Sequence, residues 1–229
     1  MTSPNTPPVE TGPTEYRQAR FDVPPHATEL VIVRHGESAP ARMDRPFPLV
    51  GGHGDPELAP EGQIQASQVA HRLATTRIDA IYVTTLRRTA QTAAPLAARL
   101  GMAPAVSADL REVYLGEWEG GLFRQRVAHG HPIALRMRAE QRWDVIPGGE
   151  SAENFAARVR RGVMAIAACH VDQRVALFTH GGVIGQILAE ATGCRPFAFV
   201  GADNGSVSTV VVTEAGWLVR GYNDISHLV

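Results

Sequence analysis

Two apolar runs in this chain end in the same way. Leu30-Val31-Ile32-Val33 stops at Arg34-His35-Gly36, and Val175-Ala176-Leu177-Phe178-Thr179 stops at His180-Gly181-Gly182. Neither run alternates apolar with polar residues, which is the pattern of strands covered on both faces, as in a parallel sheet between two layers of helices. Open α/β sheets place their ligands at the C-terminal ends of such strands. Two central strands of this kind would bring His35 and His180 out at one edge, beside Arg34. Taken alone, Arg-His-Gly also reads as a strand end with an exposed arginine and a capping histidine. The rest of the chain decides between the two readings.

The segments between these runs alternate strand and helix. Residues 1–27 are rich in Pro, Thr and Glu with little to bury, so a disordered arm is expected there, followed by one domain over 28–229. Residues 39–60 form a long Pro/Gly-rich connection that begins directly after His35 and is placed to cover the strand end. Pro60-Glu61 opens a helix with Ala66, Val69, Ala70 and Leu73 on one face. A strand over 78–83 ends in Thr84-Thr85 and leads into a helix over 86–100, which Pro95 is expected to kink or cut short. A short strand near 104–106 and a loop over 110–120 come next. Residues 121–142 read as helical, broken near Gly130-His131-Pro132. Ser151 caps a helix with Phe155, Val159, Val163 and Ile166 inward. A helix runs from 181 to about 191, and strands over 208–213 and 217–222 close a hairpin. The fold class this predicts is α/β: a single domain with a mostly parallel sheet flanked by helices.

Composition narrows the function. The net charge is −1, which gives no reason to expect nucleic acid or a membrane surface as partner. All 22 basic residues are arginines. Cys169 and Cys194 are too few for a disulfide framework and match no metal spacing. With no apolar run long enough to cross a bilayer and no secretory leader, a soluble cytoplasmic protein is expected.

Arg88 falls in the first turn of the helix that follows the 78–83 strand. It therefore enters from the same side as His35 and His180, and a helix N-terminus adds partial positive charge. Two arginines and two histidines converging on one point describe a pocket for a phosphoryl dianion. Arg34-His35-Gly36-Glu37-Ser38 resembles the signature of the histidine phosphatase superfamily, the phosphoglycerate mutase-like enzymes. Leu86-Arg87-Arg88-Thr89-Ala90-Gln91-Thr92-Ala93 is similar to that family's phosphate-binding helix start. Leu110-Arg111-Glu112, with Gly116-Glu117-Trp118-Glu119-Gly120 behind it, resembles the segment that carries its proton donor. Gly148-Gly149-Glu150-Ser151 and Thr179-His180-Gly181-Gly182 resemble the two remaining blocks, and all five occur in the family's order.

The resemblance implies a phosphomonoester hydrolase that works through a phosphohistidine, with a small-molecule phosphomonoester as partner and no metal or other cofactor. It implies His35 as nucleophile, Glu112 as general acid and His180 as a protonated donor to the phosphoryl group. Arg34, Arg88 and Gly181 would bind phosphate, Arg88 being preferred to Arg87 by spacing, while Arg42, Ser38 and Asn204 are candidate substrate contacts. Glu117 and Glu119 stand near enough to compete for the acid role. One position departs from the family pattern. Where many members carry an asparagine that ligates phosphate, this chain has Ala41, so the pocket must be completed differently, with Arg42 as the first candidate. The alternative within the fold is a cofactor-dependent phosphoglycerate mutase. Outside it stand a Ser esterase using Ser38, for which Gly36-Glu37-Ser38-Ala39-Pro40 lacks the second glycine of a nucleophile elbow, and a phospho-ligand binding module without turnover.

Overall fold

The computed structural model describes residues 16–42 and 44–228. The first fifteen residues, which carry over half of the expected N-terminal arm, lie outside the described residues. Residues 16–24 form no helix or strand, and the Arg220 guanidinium lies over the Phe21 ring at 3.7 Å.

In chain order the elements are β1 (Thr28–Arg34), β2 (Leu49–Val50), β3 (His53–Gly54), α1 (Pro60–Leu73), β4 (Ala80–Val83), α2 (Arg87–Leu100) and β5 (Ala105–Val106). There follow α3 (Leu122–Ala128), α4 (Pro132–Glu140), α5 (Ala152–Cys169), β6 (Arg174–Thr179), α6 (Gly181–Thr192), β7 (Val207–Thr213) and β8 (Gly216–Asp224). Six strands form one sheet in the order β5-β4-β6-β1-β7-β8. The first four are parallel, and β7 and β8 continue the sheet antiparallel.

The continuous apolar runs are explained by what lies on either side. Leu30 and Ile32 of β1, with Val175 and Leu177 of β6, point into a core shared with α5 and α6. Val31, Val33, Ala176 and Phe178 point the other way, into a core shared with α1 and α2. Burying each large side chain contributes about 1.5–3 kcal/mol, so both faces of these strands must be apolar. A third cluster under α3 and α4 gathers Trp118, Ala134, Met137, Val145 and Ile146.

Two local expectations are corrected. Pro95 neither ends nor halves its helix, since α2 runs through it to Leu100. The carbonyl that loses a partner belongs to Gln91, an exposed residue, and Leu96 and Ala97 beyond it are buried in the core. The 39–60 connection is not structureless. It forms the β2–β3 hairpin and a bridge between Ser38 and Leu58, and so runs back alongside the strand end it left. Ser151 caps α5 as expected, its Oγ accepting the Asn154 N–H at 3.1 Å.

Candidate active site

His35 is the first residue beyond β1, and its N–H still donates to Thr179 O at 2.9 Å, which holds it beside the end of β6. Its ring makes two contacts. Nδ1 lies 2.7 Å from Gly36 O, and Nε2 lies 3.2 Å from Arg88 Nε. A carbonyl can only accept and a guanidinium N–H can only donate. The proton of the neutral ring is therefore on Nδ1, and Nε2 presents its lone pair. Burial, reinforced by the charges of Arg88 and Arg34, pushes the imidazole well below its ordinary pKa. The ring is neutral, with its Nε2 lone pair free of a proton.

Arg88 is buried, its pKa lowered to about 10 by burial, and remains charged at neutral pH. Its Nη1 donates to Gly54 O at 3.0 Å. Thr92 Oγ1 accepts the Gly36 N–H and donates to Arg88 O, locking the two segments together. The neighbouring Arg87 points elsewhere, its backbone N–H and Nε both on the buried Asp55 carboxylate. Arg34 donates through Nη1 to Ala202 O, while its buried Nε has no partner among the described residues.

Glu112 sits against the start of α6. Its Oε2 accepts the Gly182 N–H at 3.3 Å and its Oε1 the Val113 N–H at 3.0 Å. A helix N-terminus is a favourable place for a carboxylate. The approach is close: a Cβ on Gly182 would lie 2.5 Å from Glu112 Oε1 and displace that carboxylate. The segment bearing Glu112 is fixed from behind by Arg158. Its guanidinium donates to Asp109 O, Arg111 O and Glu112 O at 2.7–2.8 Å and pairs with both Glu150 oxygens. Glu119 is spent on Gly54 N–H and Leu115 N–H, and Glu117 is exposed.

These side chains meet in a cavity of about 280 Å³ that holds Arg34, His35, Arg88 and Glu112, with Phe47, Trp118, Phe123 and Trp143 as apolar wall. A second cavity of about 600 Å³ shares Arg34, His35 and Arg124 with it and includes Ser38, Ala41 and Asn204. The first cavity brings His35, Arg88 and Glu112 together, which the second does not, and is the candidate reaction chamber.

The other expected residues fall as follows. His180 is fully buried, its ring centroid 5.2 Å from that of His35, and lines neither cavity. Its Nε2 lies 2.9 Å from Thr84 Oγ1, and its Nδ1 has no partner among the described residues. Burial and the charge of Arg88 hold it well below its ordinary pKa, so without an anion beside it His180 is neutral rather than protonated. Gly181 packs on Arg34, with 3.4 Å between a built Cβ and Arg34 Nε. Asn204 Nδ2 donates to His35 O at 2.8 Å and so fixes the backbone of His35. Ser38 Oγ accepts from Arg124 Nη2 at 2.6 Å. Arg42 is exposed, pairs with Asp44 at 3.5 Å and lines neither cavity.

The residue that does arrive beside Ala41 is Arg124, from α3. A Cβ on Gly121 would lie 3.0 Å from Ala41 Cβ, so α3 begins in contact with the small side chain at position 41. One turn on, Arg124 reaches both cavities, held by Ser38 Oγ and Ala39 O and lying over Phe47. In sequence Arg124 is one of two arginines in Phe123-Arg124-Gln125-Arg126; the packing of α3 on residue 41 singles out this one.

The sequence profile of the histidine phosphatase superfamily (branch 1) matches residues 30–225. The chain belongs to this superfamily. It is 34% identical over 207 residues to phosphoglycerate mutase-like protein 4 of Arabidopsis thaliana, covering 87% of this chain and 86% of that one. To the metal-independent phosphoserine phosphatase of the same plant it is 31% identical, covering 88% and 83%. Mycobacterial glucosyl-3-phosphoglycerate phosphatase, solved in complex with VO3, superposes with a TM-score of 0.71 at 29% identity, covering 85% of this chain and 98% of that one. The Bacillus anthracis phosphoglycerate mutase shares the fold at a TM-score of 0.74 and 19% identity, covering 89% of this chain and 96% of that one. The protein is an enzyme of the histidine phosphatase class, which hydrolyses phosphomonoesters, and among its described residues no helix is long and apolar enough to cross a membrane.

Proposed function

We propose that the reaction runs through a phosphohistidine at His35 Nε2. The observation that carries this is the pair of contacts on the imidazole. Gly36 O keeps the proton on Nδ1, and Arg88 brings its guanidinium to the lone pair that must meet phosphorus. Nε2 attacks in line, the P–N bond forms, and the ester P–O bond breaks. Glu112 gives its proton to the departing alkoxide. Water then attacks phosphorus, Glu112 takes back the proton, and the P–N bond breaks to leave neutral His35. Arg34, Arg88 and Arg124 hold the non-bridging oxygens, Arg being matched in shape to phosphate. Arg34 borders the chamber and supplies donors where charge gathers, while His180, lining neither cavity, packs edge-on against the His35 ring. Ser38 is no esterase nucleophile, since its hydroxyl is bonded to Arg124 and to no histidine among the described residues.

The mutase alternative must keep water from its phosphoenzyme. Here His35 also lines the 600 Å³ cavity, which supports hydrolysis. The substrate class is a small-molecule phosphomonoester whose leaving group lies on the apolar wall. Phosphoserine and glucosyl-3-phosphoglycerate, the substrates named for two relatives, are esters of this kind. The two free thiols, Cys169 and Cys194, support action in the reducing cytoplasm. Incubation with 3-phosphoglycerate tests the reading: release of inorganic phosphate is expected, lost by a factor of about 10³ or more in His35→Ala. Accumulation of 2-phosphoglycerate instead would establish the mutase.

A further inference from the structure

Behind the Glu112 segment lies a third cavity, of about 320 Å³, which the reaction just described does not use. It is bordered by Gly52, His53, Arg111, Tyr114, Glu150 and Arg158. Its one carboxylate is spent: Glu150 pairs with Arg158 and also accepts the Tyr114 N–H. Arg111 has no such partner. No carboxylate pairs with it among the described residues, and its Nε is buried without a hydrogen bond. His53, only 4% exposed, uses Nδ1 on Gly51 O at 3.2 Å and leaves its Nε2 without a partner. Both residues border the cavity, and a buried nitrogen without a partner is costly unless water or a ligand meets it. The balance of charge is positive by one guanidinium, so the ligand group that fits is an anion.

The tautomer refines the chemistry. Because Gly51 O takes the Nδ1 proton, Nε2 of the neutral His53 accepts rather than donates. It suits a hydroxyl on the ligand, while Arg111 suits a carboxylate or phosphate. His53 also borders the reaction chamber, and the next residue, Gly54, accepts from Arg88. We propose that this cavity is a second anion-binding site, taking a carboxylate or phosphate on Arg111 with a neighbouring hydroxyl on His53. The anion is carried either by the substrate's distal end or by a free ligand. The substrate-borne form rests on the phosphatase reading; the free form does not.

The test uses the full chain and Arg111→Gln, with Arg111→Lys, which keeps the charge but loses the planar fork, as a second variant should the first lose its thermal transition. Malate binding is measured by calorimetry with vanadate filling the phosphoryl pocket. Hydrolysis of 3-phosphoglycerate is compared with that of glycerol 3-phosphate, which lacks the carboxylate. A drop in kcat/KM at least tenfold larger for 3-phosphoglycerate in the variant establishes the substrate-borne anion. Malate binding that the variant abolishes, with equal change for both esters, establishes the free ligand. No malate binding together with equal change overturns the site. Wild-type protein that binds malate yet releases phosphate from neither ester would overturn the phosphatase reading and leave this site standing.

Discussion

His35 and Arg124 differ in how they could be found. His35 is set by its neighbours in sequence: a buried strand delivers it, the next carbonyl fixes its tautomer, and Arg88 arrives from an equally local helix start. All three could be placed from the chain alone. Arg124 could not, because it reaches the site only when α3 packs on Ala41, about 80 residues away. Arg42 was the natural candidate by adjacency, yet the short turn bridging Arg42 to Arg45 leaves it in solvent. Arg124→Ala is therefore expected to cut kcat/KM for an alkyl phosphate by about tenfold to a hundredfold, the value of one charge-assisted contact of about 1.5–3 kcal/mol. Arg42→Ala should change it less than about twofold. Steady-state kinetics of both variants check this, and the reverse ranking would place the pocket's third cation at Arg42.

Among the elements, the sheet edge and helices were legible because burial dictates their pattern, whereas the arginine that braces the Glu112 segment was not. Glu150 and Ser151 read as a helix start that could also brace the pocket, and Ser151 is the cap of α5. Glu150, one residue earlier, anchors Arg158 eight residues on, and Arg158 then gathers three carbonyls of the 109–112 segment. No periodicity reports a bond between a helix interior and a loop 46–49 residues before it. Arg158→Lys keeps the charge but cannot span five acceptors with a planar fork. It should loosen Glu112 and slow phosphorylation more for an alkyl phosphate, which needs a proton on leaving, than for p-nitrophenyl phosphate, which needs little. Equal slowing in single-turnover kinetics would mean that Arg158 holds up the fold and not the acid. Arg158→Ala leaves the half-buried Glu150 carboxylate with only the Tyr114 N–H and should lower stability in urea unfolding by about 1–3 kcal/mol.

Across the whole molecule, crowding arginines and histidines at one sheet edge ties stability to pH. Burial depresses His35 and His180 well below 6.5, and His53 and His227 shift the same way. On acidification the unfolded chain therefore takes up protons first. Stability contributed by these groups is intact above pH 6.5 and falls as pH drops through the window below it, by up to about 1.4 kcal/mol per pH unit for each histidine that stays neutral. Urea midpoints at pH 7.5, 6.5 and 5.5 should decline in that order, and a His180→Asn variant that still folds should decline less steeply; a midpoint that holds or rises on acidification contradicts the neutral pair. The central claim is that this edge forms a covalent intermediate at His35 Nε2. Quenching the enzyme in alkaline detergent during turnover of a ³²P-labelled phosphomonoester, with peptide mapping at alkaline pH, tests it most directly. An acid-labile, base-stable label is expected on the peptide containing His35, absent in His35→Ala. A label on Ser38, or full turnover by His35→Ala with no label at all, would contradict it.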